Sequence, residues 1–198
     1  MSLTVEKCLQ AWTNSLKQMN AKADIVFFGD SLTYYGDFSL AFPDKVVCNL
    51  GLRGDTIQGM IVRVEQVKML EPKVVYLMAG INDVANCSLD EFKKNHTELL
   101  RCLKDSIPES ELICQTILPV NDVDFSISCN NSQIIACNTE LFSLVKIYNL
   151  GCIDLYSVYE REGKLPIEMT VDGIHLKRKA YKNWVVELNK YKLWKDAF

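Results

Sequence analysis

The sequence predicts an α/β fold built on a parallel sheet. Two observations carry this expectation. Short apolar runs alternate with longer segments of helical period, and the runs are hydrophobic without interruption, as strands covered on both faces must be. Five runs qualify as strands, at 24–28, 45–48, 73–78, 112–118 and 151–154. Between the second and third, Ile57, Met60, Ile61, Val64 and Val67 recur at helical spacing and predict a helix. After the third, Ser88-Leu89-Asp90-Glu91 reads as a capping box, in which the serine and glutamate satisfy N–H groups of the first turn. It opens a helix whose apolar stripe is Leu89, Phe92, His96, Leu99 and Leu103. Further helices are expected near 132–149 and 177–191, and the irregular stretch 120–131 follows the fourth strand.

With 198 residues, 48% of them hydrophobic, the chain can bury a sizeable core yet is short enough for a single domain over 1–198. It shows no internal repeat, no low-complexity tract and no linker rich in Pro, Gly or Ser. The net charge of −3, from 22 basic and 25 acidic residues interleaved along the chain, offers no basic face for nucleic acid and no polybasic membrane anchor. Residues 1–7 lack the basic and apolar regions of a secretory signal, and no stretch approaches transmembrane length, so a cytoplasmic location is expected. The eight cysteines, Cys8, Cys48, Cys87, Cys102, Cys114, Cys129, Cys137 and Cys152, are scattered without a C-x-x-C pair or metal-site spacing. Several fall inside strand-like runs and are read as buried free thiols.

In an open parallel sheet, ligands bind in the crevice outside the carboxyl ends of the strands, so the residues after each strand matter most. The first strand runs into Gly29-Asp30-Ser31-Leu32, which sets a serine hydroxyl on a tight turn. A serine is a weak nucleophile until a base takes its proton, and the chain offers two histidines, His96 and His175. His96 lies within its helix stripe and is read as packed. His175 follows Asp172 by three residues, with Gly173 permitting a turn between them, so the carboxylate can fix the imidazole's tautomer and aim. A polar loop or cap before the last helix is the competing reading of the same segment.

Acyl transfer also needs donors for the oxyanion. The second strand end carries Asn49-Leu50-Gly51-Leu52-Arg53-Gly54-Asp55-Thr56, where the Gly54 N–H opens a helix. The third carries Gly80-Ile81-Asn82-Asp83, where the Asn82 amide can donate. Glycine and asparagine are ordinary turn residues, so the weight lies in their joint placement at successive strand ends.

Gly29-Asp30-Ser31-Leu32, Gly54, Gly80-x-Asn82-Asp83 and Asp172-x-x-His175 resemble, in order and spacing, the four blocks of the SGNH (GDSL-type) hydrolases. The wording Gly29-Asp30-Ser31-Leu32-Thr33, Phe42-Pro43-Asp44 and Asp172-Gly173-Ile174-His175-Leu176 is most similar to the branch containing platelet-activating-factor acetylhydrolase α-subunits and bacterial acyl esterases. The resemblance implies a three-layer α/β/α sandwich of flavodoxin-like character with a central five-stranded parallel sheet. It also implies Ser31, Asp172 and His175 as catalytic triad and an oxyanion hole from the N–H groups of Ser31 and Gly54 and the Asn82 side chain. Neither metal nor organic cofactor is implied. Thr33 stands where a G-x-S-x-G elbow has its second glycine, which argues against the α/β-hydrolases.

The expected activity is hydrolysis of short-chain carboxylic esters, acetyl or other small acyl groups on a sugar or other small alcohol, through an acyl-enzyme. An acyltransferase using the same residues and a catalytically silent binding module are the alternatives. Asp30 and Asp83 are expected to brace their loops. Tyr34, Tyr35 and Arg53 flank the crevice and are candidates for a substrate rim, although packing and solvation are the ordinary roles of such residues. The absence of a lid-like insertion suggests an open site. A small-molecule ester is the expected partner, and homo-oligomer formation is left open.

Overall fold

The computed structural model describes residues 11–15 and 18–196, with side chains through residue 191. Strands β1 (Ile25–Gly29), β2 (Val47–Gly51), β3 (Val74–Met78), β4 (Glu111–Gln115) and β5 (Gly151–Ile153) form one sheet in the order β2-β1-β3-β4-β5. Every pairing is parallel. The connecting helices are α1 (Ser31–Tyr34), α2 (Ile57–Val62), α3 (Val64–Met69), α4 (Leu89–Ser106), α5 (Asn131–Tyr148), α6 (Leu155–Tyr159) and α7 (Tyr181–Asp196). The winding reverses at β1, which has β2 on one side and β3 on the other. Its carboxyl end is therefore where a crevice opens.

Both faces are covered, which is why the strands are apolar throughout. The register sets Phe27, Tyr76 and Ile113 side by side on one face. There the Phe27 ring stacks on Tyr76 at 4.8 Å and on Phe38, in the 3-10 turn Phe38–Ala41, at 4.0 Å. Trp184 of α7 packs on Phe38 and donates its indole N–H to Gln115 Oε1 at 2.7 Å. The other face carries Val26, Phe28, Val75 and Leu77, all buried, beneath the layer in which α2, α3 and α5 pack on α4. These two layers complete the α/β/α, flavodoxin-like sandwich expected from the sequence.

The last helix runs Tyr181–Asp196 instead of 177–191, and the elements depart from the sequence reading in four further places. Strand β2 begins and ends later than 45–48, because the parallel register with β1 carries pairing out to Gly51 opposite Gly29. Strand β4 stops at Gln115 instead of running to 118, because β5 is three residues long and the Ile117 N–H turns to the Asn138 side chain at 2.9 Å. The stripe from Ile57 to Val67 is two helices, broken at Arg63 (φ −110°, ψ 15°). The capping box forms as expected, but Leu89, as the first residue of α4, remains 41% exposed while Phe92, His96, Leu99 and Leu103 are buried. Cys8 lies outside the described residues. The other seven cysteines are free, and Cys114, Cys129 and Cys137 are buried.

The break at Arg63 coincides with an inward-facing guanidinium. Its Nε donates to Asp55 Oδ2 at 2.6 Å, and its terminal nitrogens donate to the carbonyls of Leu50 (2.7 Å) and Gly29 (2.9 Å). It also lies 4.3 Å over the Phe28 ring. One side chain thus donates to the Gly29 carbonyl at the end of β1, which also accepts the Leu52 N–H, and to the Leu50 carbonyl of β2. Nearby, Asp30 and Asp83 are also buried. Burial raises the Asp30 carboxyl to about 7, with the Leu32 N–H and Arg63 opposing and Asp55 and Asp83 adding to the rise. Its Oδ2 has no hydrogen-bond partner among the described residues. Burial likewise raises Asp83 to about 6, against the Ile57 N–H that it accepts.

Two outcomes follow from this cluster. Arg63→Met leaves Asp55 buried without its cation and should lower the free energy of urea unfolding by about 3–5 kcal/mol. Both raised carboxyls hold in the folded state a proton that the unfolded chain releases near pH 4, so their contribution is greatest in acid and is lost as pH rises through 6 to 7. Asp30→Asn keeps the Oδ1 acceptor and removes the titration. Its melting temperature relative to the parent should therefore climb between pH 5 and pH 8; parallel profiles would contradict the assignment.

Candidate active site

Strand β1 delivers the chain into Asp30 and Ser31 at the crevice. Asp30 caps α1, its Oδ1 accepting from the Leu32 N–H at 2.9 Å. Gly29 is required by close approach, since a Cβ there would run into Thr33 and the Met78 carbonyl. Ser31 takes the first helical position, where the backbone N–H has no acceptor within the helix. From α7, the Tyr181 hydroxyl donates to the Leu32 carbonyl at 2.8 Å and pins this turn from the opposite end of the chain.

The Ser31 hydroxyl lies 2.9 Å from His175 Nε2, and His175 Nδ1 lies 2.7 Å from Asp172 Oδ2. A carboxylate on Nδ1 holds the ring proton there and leaves the Nε2 lone pair facing the serine hydroxyl. The second Asp172 oxygen accepts the N–H groups of Ile174 (3.1 Å) and His175 (2.8 Å). Partial burial pushes the Asp172 carboxyl up, but the hydrogen bonds from the His175 backbone and ring and from Ile174 outweigh it and hold it below the ordinary value.

The turn carrying these two residues is itself braced. The Thr170 hydroxyl donates to the His175 carbonyl and accepts from the Gly173 N–H, both at 2.9 Å. Gly173 has φ +92°, and a Cβ there would press on Phe125 and the Asn121 carbonyl. The Asn121 N–H donates to the Gly173 carbonyl at 2.8 Å. The irregular 120–131 stretch therefore supports the Asp172–His175 turn through Asn121 and Phe125.

The loops carrying Gly54 and Asn82 are tied to each other. Asn82 Nδ2 donates to the Asp55 carbonyl at 2.8 Å, and the Asp83 carboxylate accepts the Ile57 N–H at the start of α2. One amide hydrogen of Asn82 is thus committed to the loop, and its second is free of that bond. Of the rim candidates, Tyr35 stands edge to face with the His175 ring at 5.9 Å, Tyr34 packs on Tyr35 at 5.1 Å, and the Arg53 guanidinium lies 5.8 Å over the Tyr35 ring. His96 is buried against Phe92, far from these contacts in the helix layer, and burial lowers its pKa to about 4.

Sequence reasoning did not single out Arg63, Thr170 or Tyr181. A charged residue inside the apolar Ile57–Val67 stripe was the available signal for Arg63; Thr170 and Tyr181 carry none, because their partners are set by folding. Among the described residues no group of three His, Cys, Asp or Glu side chains is placed to hold a metal ion. No helix among them is long and apolar enough to cross a membrane.

Known proteins share this architecture. A Streptococcus pneumonia protein provisionally assigned as a platelet activating factor superimposes with a TM-score of 0.78 at 21% identity, covering 96% of this chain and 99% of that one. A GDSL-like lipase from Bacteroides thetaiotaomicron gives 0.73 at 20% identity, covering 96% and 98%. The lipase/acylhydrolase from Enterococcus faecalis gives 0.72 at 22%, covering 84% and 93%. At these identities the likeness establishes the fold. No curated protein matches the chain significantly. The GDSL-like lipase/acylhydrolase family model matches residues 27–182, from β1 into α7 and across all four sequence blocks, and the chain belongs to that family.

Proposed function

We propose that this chain, acting as one domain over 1–198, hydrolyses short-chain carboxylic esters through an acyl-enzyme on Ser31. The observation that carries the reading is the continuous relay from the Ser31 hydroxyl to His175 Nε2 at 2.9 Å and from Nδ1 to Asp172 at 2.7 Å. In this reading Ser31 Oγ attacks the ester carbonyl while His175 takes its proton. The imidazolium is stabilised by Asp172 and gives the proton to the departing alcohol. Water then repeats the cycle on the acyl-enzyme.

The N–H groups of Ser31 and Gly54 and the free Asn82 amide hydrogen serve the oxyanion. Support for that role comes from the Asn82 bond to Asp55, which locks two strand-end loops in place before substrate arrives, so that the donors need no reorganisation during reaction. Asp172 and His175 are partly open to solvent, at 51% and 33% of their side-chain surface, which suits entry of the hydrolytic water. A cytoplasmic setting belongs to the same reading, on the strength of the free cysteines.

Ser31→Ala should cut turnover of p-nitrophenyl acetate by at least about a thousandfold with an unchanged circular dichroism spectrum, and it should abolish labelling by a fluorophosphonate. Retained turnover would remove Ser31 from its role. Asn82→Ala should lower kcat by about a hundredfold or more with little change in KM, because the donor acts on the transition state. Steady-state kinetics on the same ester reads that split. Product analysis with added alcohols reports whether water is the acceptor.

A further inference from the structure

A groove of about 470 Å³ lies between the segment 35–40 and the residues from Arg178 into α7. Its walls are apolar, formed by Tyr35, Leu40, Tyr181, Val185 and Val186. Leu40 is 70% exposed and Val186 51%, and such residues are unremarkable when scattered but here share one depression. Tyr35 connects the groove to the reacting groups, with its ring edge-on to the His175 imidazole.

The rim has the opposite character. Arg178, Lys179 and Lys182 line the groove, and none of them enters an ion pair among the described residues. Asp37 also contributes to the lining, and its Oδ1 accepts from the Ser39 hydroxyl. Arg53 adds a further cation over the outer face of Tyr35. A chain of net charge −3 thus gathers positive charge on one side of its site, where it attracts anions and repels cations.

We infer that this groove receives the alcohol half of the ester, and that this half is an apolar group bearing a negative charge. The inference rests on the proposed esterase chemistry, because that chemistry decides which half lies here. His175 returns its proton to the departing oxygen, so the alcohol lies on the His175 side, and the acyl group lies toward Gly54 and Asn82. Hydrocarbon of the alcohol covers Leu40, Val185 and Val186, and its anion meets Arg178, Lys179 and Lys182. Neutral sugar alcohols use neither the apolar walls nor the basic rim.

The test compares O-acetyl phloretate with O-acetyl phloretamide, which share the acyl group and the phenolic leaving group and differ in charge. p-Nitrophenyl acetate serves as the small neutral reference. The native chain should favour the carboxylate by about tenfold in kcat/KM at low salt, and the preference should shrink as ionic strength rises. In the double variant Arg178→Glu, Lys182→Glu the preference should vanish or invert while turnover of p-nitrophenyl acetate is unchanged. Leu40→Ser should raise KM for both phloretyl esters alike and leave the reference untouched.

Equal rates for the two esters in the native chain, or a preference that survives the double variant, overturns the groove assignment while the reference reaction still supports the esterase. Failure to turn over any of the three esters overturns the esterase reading and this inference with it.

Discussion

The Arg63 guanidinium donates to the Gly29 carbonyl at the end of β1, to the Leu50 carbonyl of β2 and to the Asp55 carboxylate, and this junction joins the two strands from which the Ser31 and Gly54 loops leave. A parallel sheet ends in carbonyls with no ladder partner, and a buried orphan acceptor is costly. One planar cation with several fixed donors reaches two carbonyls of adjacent strands at once, in addition to the Leu52 N–H that the Gly29 carbonyl accepts. The break between α2 and α3 occurs at this residue, which sacrifices helix continuity to point the side chain inward.

This arrangement concentrates charge beside the Ser31 turn. Three buried carboxyls, Asp30, Asp55 and Asp83, interact here, and Arg63 acts on two of them, Asp55 and Asp30. Asp30 caps α1, Asp55 fixes Arg63, and Asp83 starts α2. Burying more acid than base is unfavourable, and burial raises all three carboxyls, Asp30 and Asp83 furthest, with Arg63 opposing the rise at Asp55. Stability is thereby traded for geometry. The Ser31 turn and the loops carrying Gly54 and Asn82 are held by groups that a purely apolar floor could not supply.

The fold was legible because it is written in local periodicity. The apolar runs at 24–28 and 73–78 became β1 and β3 with little change, and the Ser88–Glu91 box capped α4 as its spacing required. Errors arose where a partner at a distance set the boundary: β4 ended early because β5 is short, and β2 was extended by its register with β1. Asp172 and His175 are three residues apart, so their pairing was readable from spacing. The bracing of their turn by Thr170 and Asn121 was not, since neither residue differs in kind from ordinary loop residues.

By itself the sequence determined the α/β class and the order of the strand-end loops, and its resemblance to the SGNH hydrolases singled out Ser31, Gly54, Asn82, Asp172 and His175 as candidates, because periodicity and short-range motifs are properties of neighbours in the chain. Only the tertiary structure decided that Ser31 and His175 meet across 144 residues, that Arg63 joins β1 to β2, and that Tyr35 encloses a groove with the basic residues Arg178, Lys179 and Lys182. Those contacts depend on how distant elements pack and on which polar groups lose their water. No local pattern encodes either one.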